Sequence, residues 1–198
     1  MHNLISKLLP AFINKTKKIA EKNIIRQTIR VLKDQITETQ KQKDAGLIFQ
    51  KIELLPEFKT AKTILLYWSC SDELPTHAIV DKWSSEKEIL LPSVQDDDIQ
   101  IKRYSFNQKM RKGMLGIWEP EIFENYTGKI DLVIVPGIAF DHKKNRLGRG
   151  KGYYDRFFDH LKTVKLGVCY DFQLLNSIPA RNKDVRMDKI ITPTQIID

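Results

Sequence analysis

The chain has 198 residues, 41% hydrophobic, 9% aromatic and 29% charged, and its 33 Lys+Arg against 25 Asp+Glu leave a formal charge of +8. A chain of this size buries roughly 70% of its extended surface, enough for one ordinary domain, and the composition excludes disorder. Two cysteines exclude a disulfide scaffold, and no apolar run reaches the ~20 residues of a bilayer span. The positive field favours anionic partners without choosing among nucleic acid, phosphorylated small molecules and acidic membrane surfaces.

Residues 1–20 are basic, with one short apolar stretch interrupted by Pro10. The basic residues follow the apolar part and no small-residue cleavage site is evident, so a signal peptide is a poor reading. An N-terminal extension ahead of a single α/β domain over 21–198 is expected, with an amphipathic targeting segment as the alternative. From Glu21 the pattern is helical. Ile25, Ile29, Leu32 and Ile36 share one face at a 3.6-residue period, and Lys22, Arg26, Arg30 and Lys33 form a second row. That row is either a solvated basic face or one whose first turns meet a bound anion.

A second helix is expected over 44–55, closed by Pro56. Strand signals follow at 63–69, 89–91, 99–104, 132–135, 164–170 and 189–192. The continuous β-branched run at 132–135 suits a strand covered on both faces. With helical stretches between several of these runs, the expected fold is a three-layer α/β arrangement, a mainly parallel sheet flanked by helices. Asp96, Asp97 and Asp98 read as a solvated hairpin turn, since they lack the spaced ligands and glycine of a calcium loop. Cys70 and Cys169 fall in the apolar runs, the pattern of reduced, buried thiols in a cytoplasmic protein.

The most informative stretch is PGIAFDHKKNRLGRGKGYYDRFF, residues 136–158. Gly148, Gly150 and Gly152 alternate with Arg149 and Lys151, and Arg146 precedes them. Tyr154, Phe157, Phe158 and Leu161 then recur at helical spacing, so a helix is expected from about Tyr153. Glycines let the backbone approach a ligand, successive N–H groups form an anion-binding concavity, and fixed cations complete a polyphosphate site. Neither the P-loop nor the dinucleotide fingerprint is matched, because Lys151 precedes glycine and Tyr153 stands where a third glycine would be. A flexible basic loop or an RNA-contacting loop remains as the alternative. Tyr153 at the first turn could face a ligand, and Asp155 is either a dipole-complementing charge or a Mg²⁺ ligand.

Residues 145–155, NRLGRGKGYYD, preceded by VPGIAFD, resemble the 5-formyltetrahydrofolate cyclo-ligase (5,10-methenyltetrahydrofolate synthetase) family. Lys22 and Arg26 are similar to its N-terminal Lys-x-x-x-Arg element, residues 72–76 (DELPT) to its acidic turn, and residues 187–192 (MDKIIT) to its closing segment. The resemblance covers about residues 21–193.

It implies an enzyme that converts 5-formyltetrahydrofolate and ATP, with Mg²⁺, to 5,10-methenyltetrahydrofolate, ADP and phosphate. The formyl oxygen would take the γ-phosphoryl group, and N10 would then close the ring and expel phosphate. By the same likeness Lys22, Arg26, Arg146, Gly148, Arg149, Gly150, Lys151, Gly152, Tyr153 and Tyr154 would bind ATP, with Lys151 and Arg149 acting in catalysis. Trp68, Glu73, Trp118 and residues 149–153 would border the folate, Glu73 at the pterin. Asp155 and Asp188 would hold Mg²⁺. Apart from the likeness, Trp68 would be core, Glu73 a surface charge near a helix start, and Asp188 an exposed acid at a strand start. Trp118 stands where the family often has proline, and either stacks on folate or packs in the interior. The expected partners are ATP and 5-formyltetrahydrofolate, with or without a polyglutamate tail, bound by a monomer that engages neither nucleic acid nor membrane. The competing readings are a basic RNA-binding module and a non-catalytic folate- or nucleotide-binding relative.

Overall fold

The computed structural model describes residues 2–95, 98–113, 116–121, 124–159, 161–180 and 184–198, with side chains from residue 16 onward. Asp96 and Asp97 of the expected hairpin turn, and Met114 and Leu115 of the GMLGIWEP segment, lie outside the described residues.

Helix α1 (His2–Lys33) is continuous, so the helical start expected at Glu21 falls inside a longer element. Its face of Ile25, Ile29 and Leu32 packs with Ala139, Leu147 and Ile178. Helix α2 (Glu38–Leu54) begins before the expected Asp44 because the Thr37 side chain accepts the Gln40 N–H at 3.2 Å, a cap that stabilises the first turn. Its buried stripe, Ala45, Ile48, Phe49 and Ile52, repeats at i, i+3, i+4 and i+7. Leu55, extended ahead of Pro56, ends it and leads into the short α3 (Pro56–Thr60).

Strand β1 (Thr63–Leu65) precedes α4 (His77–Ser84), β2 (Glu88–Gln95) and β3 (Asp98–Tyr104). A two-strand ribbon, β4 (Met110–Lys112) and β5 (Trp118–Pro120), comes next, followed by β6 (Leu132–Pro136), β7 (Ala139–Asp141) and β8 (Arg146–Leu147). The chain closes through α5 (Tyr153–Phe158), β9 (Val164–Val168), β10 (Leu174–Leu175), β11 (Lys189–Ile191) and β12 (Ile196–Ile197).

Seven strands form the main sheet in the order β12-β11-β9-β6-β1-β2-β3. Pairing is parallel from β11 to β2 and antiparallel at both edges. One face, with Ile64, Ile89, Leu91, Leu132, Ile134 and Leu166, is covered by α2, α3 and α4. The other, with Leu65, Leu90, Val133, Val135 and Ile190, packs against Phe140 and the α5 residue Phe158. This is the expected mainly parallel sheet between helical layers. No helix of the described residues is long and apolar enough to cross a membrane.

The expected strand at 63–69 is cut short for a local reason. Beyond Leu66, whose N–H still reaches the Leu90 carbonyl, side chains replace the ladder. The buried Thr76 hydroxyl donates to Tyr67 O at 2.7 Å and accepts from Ser69 N–H, while Thr76 N–H donates to Ser69 Oγ. These bonds satisfy the backbone while freeing residues 67–73 to turn across the sheet's carboxyl edge. Cys70 and Cys169 accordingly lie past strand ends rather than within strands.

β1 connects to β2 on one side, whereas β6 connects to β9 on the other. The carboxyl ends of β1 and β6 therefore flank a topological switch point, where open α/β sheets leave a crevice.

Candidate functional site

A cavity of about 490 Å³ opens at that switch point. Its floor comes from Tyr67 and Trp68 after β1 and from residues 136–138 after β6. Its lining combines two chemistries. Pro92, Val94, Ile99 and Ile117 are apolar, and the acids Glu73 and Glu119 lie among the lining residues. Lys22 and Arg26 of α1, the loop residues 146–152, and the acids Asp155 and Asp184 complete it.

The loop is held open from several sides. Gly150 and Gly152 have φ of +108° and +72°, values that L side chains adopt only with strain. Arg26 Nε donates to Gly148 O at 3.1 Å, tying the first helix to the loop. Burial lowers the Arg26 guanidinium from its usual value, although it stays charged at any physiological pH. The Arg146 side chain is buried, lies over the Tyr154 ring, and contacts Asp155 Oδ1 at 3.4 Å. Its Nε is a buried donor with no hydrogen-bond partner among the described residues. Arg149 reaches across the mouth, where Nη2 contacts Asp72 Oδ1 at 2.6 Å and Glu73 Oε1 at 3.1 Å. Among the described residues Lys151 is the loop cation without an ion pair, beside the paired Arg146 and Arg149.

Glu73 is fixed by its own turn, since its Oε2 accepts the Cys70 N–H at 3.0 Å. Burial and then the Glu73 charge push the Cys70 thiol up to about 11, which keeps it protonated and poorly nucleophilic. Trp68 lines the cavity and stacks on His77 with centroids 4.2 Å apart, so it is wall and core at once.

The expected site residues thus converge with two exceptions. Trp118 is 51% exposed and outside the cavity lining. Its neighbours Ile117 and Glu119 line the cavity, and alternation along β5 turns Trp118 the other way, toward solvent. Asp188 does not join Asp155. It precedes β11 at the amino edge of the sheet, where its Oδ2 accepts the Lys165 N–H at 2.7 Å and its carboxylate pairs with the Lys165 ammonium. Asp184, which pairs with Lys22 at 3.0 Å, lines the cavity along with Asp155, Glu73 and Glu119.

Asp184 lies in a stretch with no periodic pattern, and only the folded chain brings it to α1. Glu119 was also overlooked. Its side chain is 6% exposed, it pairs with Arg111 at 3.1 Å, and Gly113 leaves it room, since a Cβ there would lie 2.7 Å from its carboxylate. The Glu-Pro pair at the end of GMLGIWEP was its only signal in the sequence.

Among the described residues no three His, Cys, Asp or Glu side chains cluster as a closed metal cage. Two carboxylates on a phosphate-sized anion site are nonetheless the usual complement for Mg²⁺, which completes its shell with phosphate oxygens and water. Asp155 and Asp184 in the cavity lining are carboxylates of that type, each beside a cation, Arg146 and Lys22 respectively.

Comparisons with known proteins place the sequence and the fold in one family. The sequence model of the 5-formyltetrahydrofolate cyclo-ligase family matches residues 18–193. A probable 5-formyltetrahydrofolate cyclo-ligase of Caenorhabditis elegans is 31% identical over 188 residues, covering 86% of this chain and 91% of its own. The 5-formyltetrahydrofolate cyclo-ligase of Haemophilus influenzae is 30% identical, with 84% and 95% covered. Among solved structures, the 5,10-methenyltetrahydrofolate synthetase of Aquifex aeolicus superposes with a TM-score of 0.80 at 31% identity, covering 88% of this chain and 91% of that one.

Proposed function

The chain belongs to the 5-formyltetrahydrofolate cyclo-ligase family, and from that premise we propose that it converts 5-formyltetrahydrofolate to 5,10-methenyltetrahydrofolate at the expense of ATP, through a phosphorylated formyl group. One observation carries the reading. The glycine-basic loop and Glu73 line the same cavity, where Arg149 of the loop contacts the Glu73 carboxylate at 3.1 Å, so a nucleotide tail on the loop would meet a folate held at Glu73.

The chemistry explains why both substrates are needed. An amide-like formyl oxygen is a poor leaving group until it is phosphorylated. In the first step that oxygen bonds to the γ-phosphorus while the bond from phosphorus to the β,γ-bridging oxygen breaks, releasing ADP. In the second, N10 bonds to the formyl carbon and loses its proton, and the carbon–oxygen bond breaks with inorganic phosphate as leaving group. Most of the acceleration comes from alignment and from stabilising charge on the migrating group.

Lys22, Arg26 and Arg146 would grip the nucleotide phosphates with the backbone N–H groups of residues 148–152. The unpaired Lys151 would follow the migrating phosphoryl group, and Arg149 would join it after leaving the acidic turn. Tyr153 and Tyr154 would close the loop side. Glu73 would accept two N–H bonds from the pterin while Trp68, Pro92 and Val94 exclude water around it. Asp155 and Asp184 would hold Mg²⁺, which when bound supplies neutralising charge for the phosphates. Residues 1–20 lie almost wholly ahead of the family match, which supports treating them as an extension of the catalytic domain at 21–198.

The test is a two-substrate absorbance assay. Purified protein supplied with Mg²⁺, ATP and 5-formyltetrahydrofolate should form the methenyl product in step with phosphate, and omission of either substrate should abolish both signals. Absence of product from folded protein overturns the proposal.

A further inference from the structure

Lys33 is a buried charge that the reaction as described leaves unused. It is the last residue of α1, its side chain is 6% exposed, and it does not line the cavity. Its Nζ lies 3.9 Å from Asp72 Oδ2, beyond hydrogen-bond reach. The other oxygen of the same carboxylate, Oδ1, is the one that Arg149 holds at 2.6 Å. A single side chain, Asp72, is therefore shared by a fixed cation beneath it and a loop cation above it.

The charges around this shared acid are strongly coupled. Burial pushes the Lys33 ammonium below its usual value, Asp72 and Glu73 draw it back up, and Arg149 pushes it down. Burial alone would raise the Asp72 carboxyl, but the Arg149 hydrogen bond and then the Arg149 and Lys33 charges hold it below its usual value. The two cations repel each other while competing for one acid.

We propose that Lys33 is a positioning residue that releases Arg149 for nucleotide binding, by serving as the standing counter-charge of Asp72. Arg149 cannot at once close the mouth on Asp72 and Glu73 and reach the phosphates. With Lys33 in place, Asp72 keeps a cation when Arg149 departs, and the repulsion between the cations eases that departure. Without Lys33, Asp72 depends on Arg149 alone and retains it. The inference rests on the reading that residues 146–152 bind nucleotide.

The test is a double-mutant cycle read by titration calorimetry with ATP and Mg²⁺ in the absence of folate. Lys33→Met should weaken ATP binding roughly five-fold or more. Asp72→Asn should bind ATP at least as well as the unaltered protein, and adding it to Lys33→Met should return affinity to within about two-fold of Asp72→Asn alone. The same cycle in turnover should raise the KM for ATP in Lys33→Met with little change in kcat, and Lys33→Arg should recover part of the loss. Near-UV circular dichroism checks folding, and Lys33→Gln replaces the methionine variant if that one unfolds. Unchanged ATP affinity in the Lys33 variant, or losses that simply multiply in the double variant, would overturn the proposal. Failure of the unaltered protein to bind ATP would instead overturn the nucleotide reading itself.

Discussion

Lys22 and Asp184 stand 162 positions apart in sequence, yet their side chains meet at 3.0 Å where α1 borders the cavity. Both are largely buried, so the pair is screened less than a surface pair and holds Asp184 against the helix. An incoming phosphate and its cation would find the two opposite charges already placed side by side.

This arrangement separates two nearby acids. Asp184→Asn should raise the Mg²⁺ concentration for half-maximal turnover by roughly ten-fold or more, whereas Asp188→Asn should leave it unchanged. Asp188→Asn should cost about 1 kcal/mol of stability through its bonds to Lys165. A magnesium titration of initial rates on both variants decides the matter. The reverse order of effects would return the metal role to Asp188.

Lys151→Ala should lower kcat by about 10²- to 10³-fold with a smaller change in KM for either substrate, because a cation on the migrating phosphoryl group acts chiefly in the transition state. Steady-state kinetics read this directly. A rise in KM with unaltered kcat would place Lys151 in ground-state binding only.

Glu73→Gln should weaken 5-formyltetrahydrofolate binding about ten-fold while ATP affinity changes less than about three-fold, since one acceptor oxygen facing two N–H donors is replaced by a donor. Separate titrations with each ligand measure both. Equal losses for the two ligands would mean that the variant disturbs the whole mouth.

Asp141 is fully buried and accepts N–H bonds from Lys143, Asn145 and Ile178 at 2.9 to 3.0 Å, and from the Asn145 amide. It fastens the glycine-basic loop's approach to the segment after β10. Asp141→Ala strands these donors and should cost roughly 3 kcal/mol or more, lowering Tm by about 6 to 12 °C. A melting-temperature change under about 2 °C would show that water replaces the carboxylate without loss.

Asp131 links pH to folding. The Lys129 hydrogen bond, followed by the Lys62 N–H, holds its carboxyl down at about 2. The unfolded chain returns it to the ordinary carboxylate value, so its stabilisation is complete above pH ~4 and drains away as the pH falls toward 2. After solvent screening the contribution is about 1 kcal/mol at most. Asp131→Asn should therefore be less stable than the unaltered protein at pH 7, and denaturant titrations of the two should converge near pH 2. A constant difference across that range would contradict the ionic origin.

Local sequence revealed the parts of the molecule whose physics is local. The continuous apolar run at β6 was readable because helices cover both faces of that strand, and β2 and β3 because their apolar residues flank an acidic turn. The two- and three-residue strands β7, β8 and β10 carry no periodicity. They are set by long-range bonds such as those from Gln173 Nε2 to the carbonyls of Gly137 and Ile138. The glycine-basic loop declared itself through an unusual residue order that its backbone angles require at Gly150 and Gly152. Asp188 stood out because an acid before a strand is conspicuous in sequence, while the partnership of Asp184 with Lys22 exists only in three dimensions. Lys33 lay in a basic row that gave no sign that its last member is buried beneath Asp72.

Because α1 carries Lys22 and Arg26 on the same rod that Ile29 and Leu32 anchor to Ala139, Leu147 and Ile178, the phasing of that rod is itself a functional dimension. A single residue inserted between Arg26 and Ile29 would rotate everything upstream by about 100° without touching the main sheet. Both cations would swing off the crevice while the fold kept its interior, so mutational length changes here would uncouple nucleotide capture from folding.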